Sequence, residues 1–219
     1  MPTLAELRDS IISQATGQIP SDDGRLEYGF IDKLIADKRA VLVGDQARMG
    51  LGIDRAYFQE MDCLRISDHE VQCEGESAGV TRRYIDLPLV LSVPGSIRYL
   101  GTVDGLTSFQ QRAYESFLRD VPSRFCEPVP TFSVIGKRAY VNREPQVEFV
   151  RMVAVLADPA SNSCVLDFEE TPYPIPADRV HTLELLVLKQ LLSTLPIVPD
   201  NKNNAADDTG QSGRAQIKD

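Results

Sequence analysis

The chain has no tryptophan, two histidines (His69 and His181), and 23 basic against 32 acidic residues, a net charge of -9. It carries no Walker A lysine motif, no G-x-G-x-x-G and no H-E-x-x-H, which removes the commonest nucleotide and zinc chemistries. Neither histidine stands at a recognised metal spacing from another His, Cys or acid, so neither a metal nor a cofactor is expected. The shortage of Lys and Arg argues against a nucleic-acid reader, because neutralising phosphates needs clustered cations on one face. Leu185 to Leu188 is far too short to span a bilayer, and no membrane insertion is expected. Near the start, Glu6, Arg8 and Asp9 fall where a signal peptide would be basic and then apolar, so none is expected. The four cysteines, Cys63, Cys73, Cys126 and Cys164, form no C-x-x-C pair and read as reduced, mostly buried thiols of a cytosolic chain.

What is present is ordinary globular material: 219 residues, 42% hydrophobic and 25% charged. Thr3 and Glu6 form a capping box ahead of Leu4, Leu7, Ile11 and Ile12 at helical spacing. A second helix carries Leu26, Phe30, Ile31, Leu34, Ile35, Val41 and Leu42, so residues 1–48 read as an antiparallel helical hairpin. Residues 57–168 are rich in strands. Met61–Ile66, Tyr84–Leu91, Ile97–Val103, the hairpin Thr131–Ile135 with Arg138–Val141, and Val147–Ala157 are the expected strands, with Cys164–Phe168 returning beside the last. An inserted helix capped by Ser108 and Gln111 would hold Phe109, Ala113, Phe117 and Leu118 until Pro122 stops it. The class is therefore α+β, with a central, mostly antiparallel β region and helices at both ends. Residues 1–198 read as one domain, and the polar stretch 199–219 as a flexible C-terminal arm.

One enzyme lead exists. Gly75-Glu76-Ser77-Ala78-Gly79 fits the G-x-S-x-G elbow, and Asp158 or Asp167 followed by His181 supplies the order serine, acid, histidine. An elbow needs a strand before the serine and a helix after it, whereas Val80 to Pro88 suits a strand. A serine esterase using Ser77, Asp158 and His181 is thus an alternative, and no catalytic residue is the main expectation.

The last third carries a different signal. Tyr173-Pro174-Ile175-Pro176 is a stiff strap that leads into a helix over 176–195, with Pro176 and Asp178 suited to its first turn. At 100° per residue, Val180, Leu183, Leu185, Val187, Leu188, Leu191, Leu192 and Leu195 cover an arc of roughly 200°, wider than one core contact needs. Either the helix is central to the core, or one side packs at home and the other meets a partner. Leu185, Leu188, Leu192 and Leu195, with Tyr173 and Ile175, are the candidate subunit interface.

Four features together carry a resemblance: the opening helices with Arg25, Ile31, Ile35 and Arg39; Val155-Leu156-Ala157-Asp158-Pro159; Glu170-x-x-Tyr173-Pro174-Ile175-Pro176-x-Asp178; and Pro199-Asp200-Asn201 with Asp207-Asp208. In these the chain resembles the head-to-tail connector, or ring, proteins of short-tailed crAss-like bacteriophages. The resemblance implies a structural protein of the virion, made in the host bacterial cytoplasm. It would form a homo-oligomeric ring, twelvefold, in the neck between portal and tail. The portal protein and adjacent tail or ring proteins would be its partners, and DNA would pass through its lumen without sequence-specific binding. An acidic balance suits such a bore, since phosphates are not held. A third reading, a cytosolic adaptor or assembly chaperone absent from the particle, shares the same composition.

Overall fold

The computed structural model describes residues 1–16, 27–73, 76–118, 129–142, 146–162, 164–165 and 167–194; the side chains of 69–81 and 117–118 are left aside. Helix α1 spans Leu4–Ala15, and the Thr3/Glu6 capping box forms as its spacing predicts: Thr3 N donates to Glu6 Oε2 at 2.9 Å and Glu6 N to Thr3 Oγ1 at 3.2 Å. Helix α2 spans Tyr28–Arg48. It ends in a Schellman turn, with Gly50 at φ +70° and Leu51 N donating back to Gln46 O. Both helices pack against the C-terminal helix and touch each other less, so the expected simple hairpin is a three-helix arrangement.

Seven strands make one sheet in the order β3-β7-β1-β2-β6-β5-β4: β1 Gln59–Cys73, β2 Glu76–Asp86, β3 Ile97–Thr102, β4 Gln110–Gln111, β5 Thr131–Ile135, β6 Arg138–Asn142 and β7 Phe149–Ala154. Every pairing is antiparallel except the short β4 with β5. The two ends of that order are drawn together. Gly101 bridges Ser108, and Phe109 N donates to Leu100 O at 2.7 Å, so the sheet curls back on itself like an open barrel. Leu64, Ile66, Ile85, Leu100, Phe132, Val141, Val150, Met152 and Leu156 fill its inside.

This closure explains a misread element. Ser108 to Ala113 was expected to be helical, yet Phe109 is only 3% exposed in the barrel core, Gln110–Gln111 is β4, and helix α3 is confined to Tyr114–Leu118. Burying one phenyl ring and satisfying an edge strand outweigh a capping pattern whose helix would hold that ring outside. β1 and β2 are also longer than their apolar runs, since Asp68 sits opposite Arg83 and their side chains pair at 3.2 Å, adding support where no core exists. Cys164–Phe168 is not a strand among the described residues.

For two of the four cysteines the thiol reading is overturned; Cys126 and the side chain of Cys73 lie outside what is described. Cys63 and Cys164, 101 residues apart, form a disulfide with Cα atoms 5.8 Å apart. Cys63 lies where the β1–β7 register shifts between Met61 and Leu64, and the loop after β7 is brought to it by Gln59 Nε2 donating to Pro159 O and Asn162 Nδ2 to Glu60 O. Spacing along the chain carried no trace of this. A bulge and a returning loop created the proximity.

A second core lies among the helices. Leu7, Ile11, Ile31, Ile35, Val43, Tyr57, Tyr173 and Ile175 meet Leu183, Val187 and Leu191 of α4, Val180–Thr194, which succeeds a 3-10 turn at Ala177–Arg179. The chain links the two cores at the exit of β7, where Ala154 and Leu156 face the barrel interior while Val155, between them, faces the helices.

Candidate assembly surface

The strap is locked from below by a buried cation. Arg39, fully enclosed, donates from Nε to Pro174 O at 2.7 Å, from Nη1 to Leu156 O at 2.8 Å and from Nη2 to Tyr57 O at 2.7 Å. Its guanidinium also faces the rings of Tyr57 and Tyr173 at 5.5 and 6.0 Å. Burial pushes the pKa of Arg39 down, while the two tyrosines oppose that shift. No carboxylate meets this guanidinium in an ion pair among the described residues; carbonyl dipoles from three segments solvate it instead. One side chain therefore ties α2, the entry to β1, the exit of β7 and the strap.

Tyr173 and Ile175, expected at the interface, are consequently interior, at 1% and 0% exposure. Tyr173 N donates to Pro2 O at 2.8 Å, Thr3 bridges Pro172, and burial pushes the phenol well above its usual pKa. The strap is a structural seam between the N-terminus and α2. Polar atoms at this seam are sparsely satisfied: the Tyr173 hydroxyl and Asp32 Oδ1 have no partner. Burial raises the Asp32 pKa against the pull of Arg8, which donates to its other oxygen at 3.2 Å. A cavity of about 450 Å³ opens here between Leu4, Asp32, Ala36, Leu89, Phe168 and Tyr173.

Helix α4 presents two apolar faces. Leu183, Val187 and Leu191 are fully buried, whereas Leu185 and Leu192 are 51% and 57% exposed and Leu188 lies half-buried between them. One flank of the helix is held to α1 by Ser10 Oγ donating to Glu184 Oε1 at 2.7 Å; the other is held to α2 by Lys38 Nζ donating to Gln190 Oε1 at 3.1 Å. With the helix pinned on both sides, rotation cannot bury the outer leucines. Leu185, Leu188 and Leu192 fall within about 60° of one another at 100° per residue, a single outward stripe. Leu195 lies outside the described residues.

The proposed triad is not assembled. Ser77 is the second residue of β2, opposite Gln72 in an antiparallel ladder, and the chain beyond it continues as strand and opens no helix; Gly75 lies outside the described residues. Asp158 uses Oδ1 to accept from Ala160 N at 3.0 Å, capping a 3-10 turn. His181, 77% exposed on its side chain, stands 3.8 Å from Glu184 Oε2 in the first turn of α4 and shares no hydrogen bond with Asp158. Asp167 accepts through its backbone carbonyl from Thr171 Oγ1. Among the described residues no group of three or more His, Cys, Asp or Glu could hold a metal, and no helix is long and apolar enough to cross a membrane.

Sequence reasoning missed Arg39 as a lock, although an arginine among Ile31, Ile35 and Val43 on the inner side of a helix was a visible anomaly. A family of crAss-like ring proteins, described as phage tail ring protein 2, matches residues 6–209. No curated protein matches the chain.

Proposed function

Because the chain belongs to the phage tail ring protein 2 family of crAss-like phages, a family of structural tail components, we propose that it forms one ring of the phage neck, between portal and tail, with DNA passing through the bore. The subunits number twelve, and neighbours meet in part through α4. The observation that carries this reading is the outward stripe of Leu185, Leu188 and Leu192 on a helix whose opposite face is already satisfied. Half-exposed leucines fixed in one row leave apolar area in water, and covering it is the ordinary driving force of subunit association. The excess of acid supports the bore, because a negative wall gives phosphates nothing to hold.

Mass photometry and electron microscopy of the purified protein, alone and with portal and tail partners, test the proposal. The wild type is expected to form rings. The double variant Leu185→Asp/Leu192→Asp should keep its thermal midpoint, since both side chains are already half in water, yet assemble at least tenfold more weakly. A wild type that remains monomeric and joins no particle overturns the ring. Rings undisturbed by the double variant overturn the role of α4.

A further inference from the structure

A closed ring is heterologous: each subunit offers a projecting part on one face and a receiving part on another. The described barrel has both at opposite ends of β3. The projection is the turn from Thr102 to Thr107, whose tip carries Leu106, 85% exposed, and Val103, 43% exposed. It is built to stay in one shape. Thr102 N donates to Thr107 O at 2.9 Å, Thr107 N to Thr102 Oγ1 at 3.0 Å, Leu106 N to Asp104 Oδ1 at 3.0 Å, and Gly105 takes φ +77°. Behind it, the Tyr99 hydroxyl donates to Thr102 O at 3.2 Å. A side chain at Gly101 would drive its first carbon into the Thr107 carbonyl oxygen and the Tyr99 hydroxyl, so the base of the turn accepts only glycine. Holding apolar side chains rigidly in water has no value to an isolated subunit. For a docking projection it removes the ordering cost beforehand.

The receiving part is a groove of about 280 Å³ at the other end of the barrel, between the 87–93 segment and the β5–β6 turn. That is the room of roughly nine waters at about 30 Å³ each, enough for the tip of an aliphatic turn. Leu89, Val90, Val93, Ile97 and Val134 supply apolar walls, and the exposed Lys137 lines the groove with them. From Ile97 at the groove to Thr102 at the turn is five strand steps, about 17 Å at ~3.3 Å each. The charges are complementary: the turn carries Asp104, fully exposed and with its carboxyl pulled below the ordinary value by its hydrogen bond from Thr102, while the groove has a lysine and no acid.

We propose that, in the ring, the Val103–Leu106 turn of one copy seats in the groove formed by residues 87–97 and the β5–β6 turn of the next copy, with Asp104 meeting Lys137. This inference rests on the ring reading and adds a named head-to-tail pair to the α4 stripe. The occupant is a second copy of this chain because both halves of the contact are on one molecule, at opposite ends, where a heterologous interface needs them.

Mass photometry of complementary variants tests it. Leu106→Asp destroys the projection, and Leu89→Asp/Lys137→Glu destroys the groove; all three positions are exposed, and circular dichroism melts check that each variant folds. Leu106→Ser serves if Leu106→Asp melts early. Each variant alone should lose oligomers at least tenfold. Mixed one to one, they should form a heterodimer and stop there, because only one intact turn and one intact groove remain to meet. Variants that still form wild-type rings overturn this contact while leaving the ring reading intact. Monomeric variants that give no heterodimer overturn the pairing, and a wild type that forms no oligomer overturns both the ring reading and the contact built on it.

Discussion

Replacing Arg39 by alanine should destabilise the fold by about 3–5 kcal/mol, because three buried carbonyls left without donors cost about 1–3 kcal/mol each and the desolvation cost of the guanidinium itself is recovered. The reason is what remains behind. Three carbonyl oxygens, of Tyr57, Leu156 and Pro174, lose their donors at once inside a space that water does not reach. The rings of Tyr57 and Tyr173 lose the plane they face, and a cavity opens between the two cores. Arg39→Met separates these contributions, because it returns most of the volume without any donor; it should recover only the cavity part. Arg39→Lys keeps a charge but replaces a planar fork by a point, which cannot reach three carbonyls in different directions, so it should fall between wild type and alanine. Urea unfolding monitored by circular dichroism reads all three. A methionine variant as stable as wild type would mean that the carbonyls find other partners and that Arg39 is not the lock.

Arg39 also shows what was legible in the sequence and what was not. Elements whose signal is local came through: the capping box at Thr3 and Glu6, the hairpin of Thr131–Ile135 with Arg138–Val141, turning at Gly136 with φ +60°, and β3 within the expected Ile97–Val103. The wide apolar arc of α4 also came through: Leu183, Val187 and Leu191 are buried, while Leu185 and Leu192 are exposed. Features set by distant residues did not. Phe109 belongs to the barrel interior only because Leu100 and Ser108 close the sheet edge, a fact of topology that no helical capping pattern contains. Tyr173 and Ile175, in the stiff strap Tyr173-Pro174-Ile175-Pro176, were expected at the subunit interface. Their burial depends on a carbonyl, that of Pro174, being needed 135 residues away by Arg39. The G-x-S-x-G match is discounted on local grounds, since Val80 to Pro88 suits a strand, and β2 does run on from Ser77 to Asp86. The motif fixes residue types, whereas chemistry requires the strand-to-helix turn that an antiparallel ladder at Ser77 does not provide.

Reducing the Cys63–Cys164 bond should lower stability by about 2–4 kcal/mol, the usual range for a native disulfide. The chain-entropy account alone would allow about 4.7 kcal/mol for a loop of roughly a hundred residues, because the bond spans a sequence separation of 101 and restricts the unfolded chain strongly. Two facts place the expected loss below that figure. The loop carrying Cys164 is already tied to β1 by the Gln59–Pro159 and Asn162–Glu60 hydrogen bonds, and Cys164 packs against the barrel core, so the native geometry survives without the covalent link. An unfolded chain that retains local structure also has less entropy for the bond to remove. The measurement is urea unfolding of the protein with and without reductant, in a Cys73→Ser/Cys126→Ser background that prevents thiol exchange, together with Cys63→Ser as a second route to the open form. Peptide mapping without reductant should recover the Cys63 and Cys164 peptides joined. Free thiols in the folded protein, or identical unfolding midpoints in the two states, would show that the bulge in β1 brings the sulfurs together without the bond contributing to the fold. A loss equal to the full loop-entropy figure would mean instead that the hydrogen bonds around Asn162 depend on the disulfide and open with it.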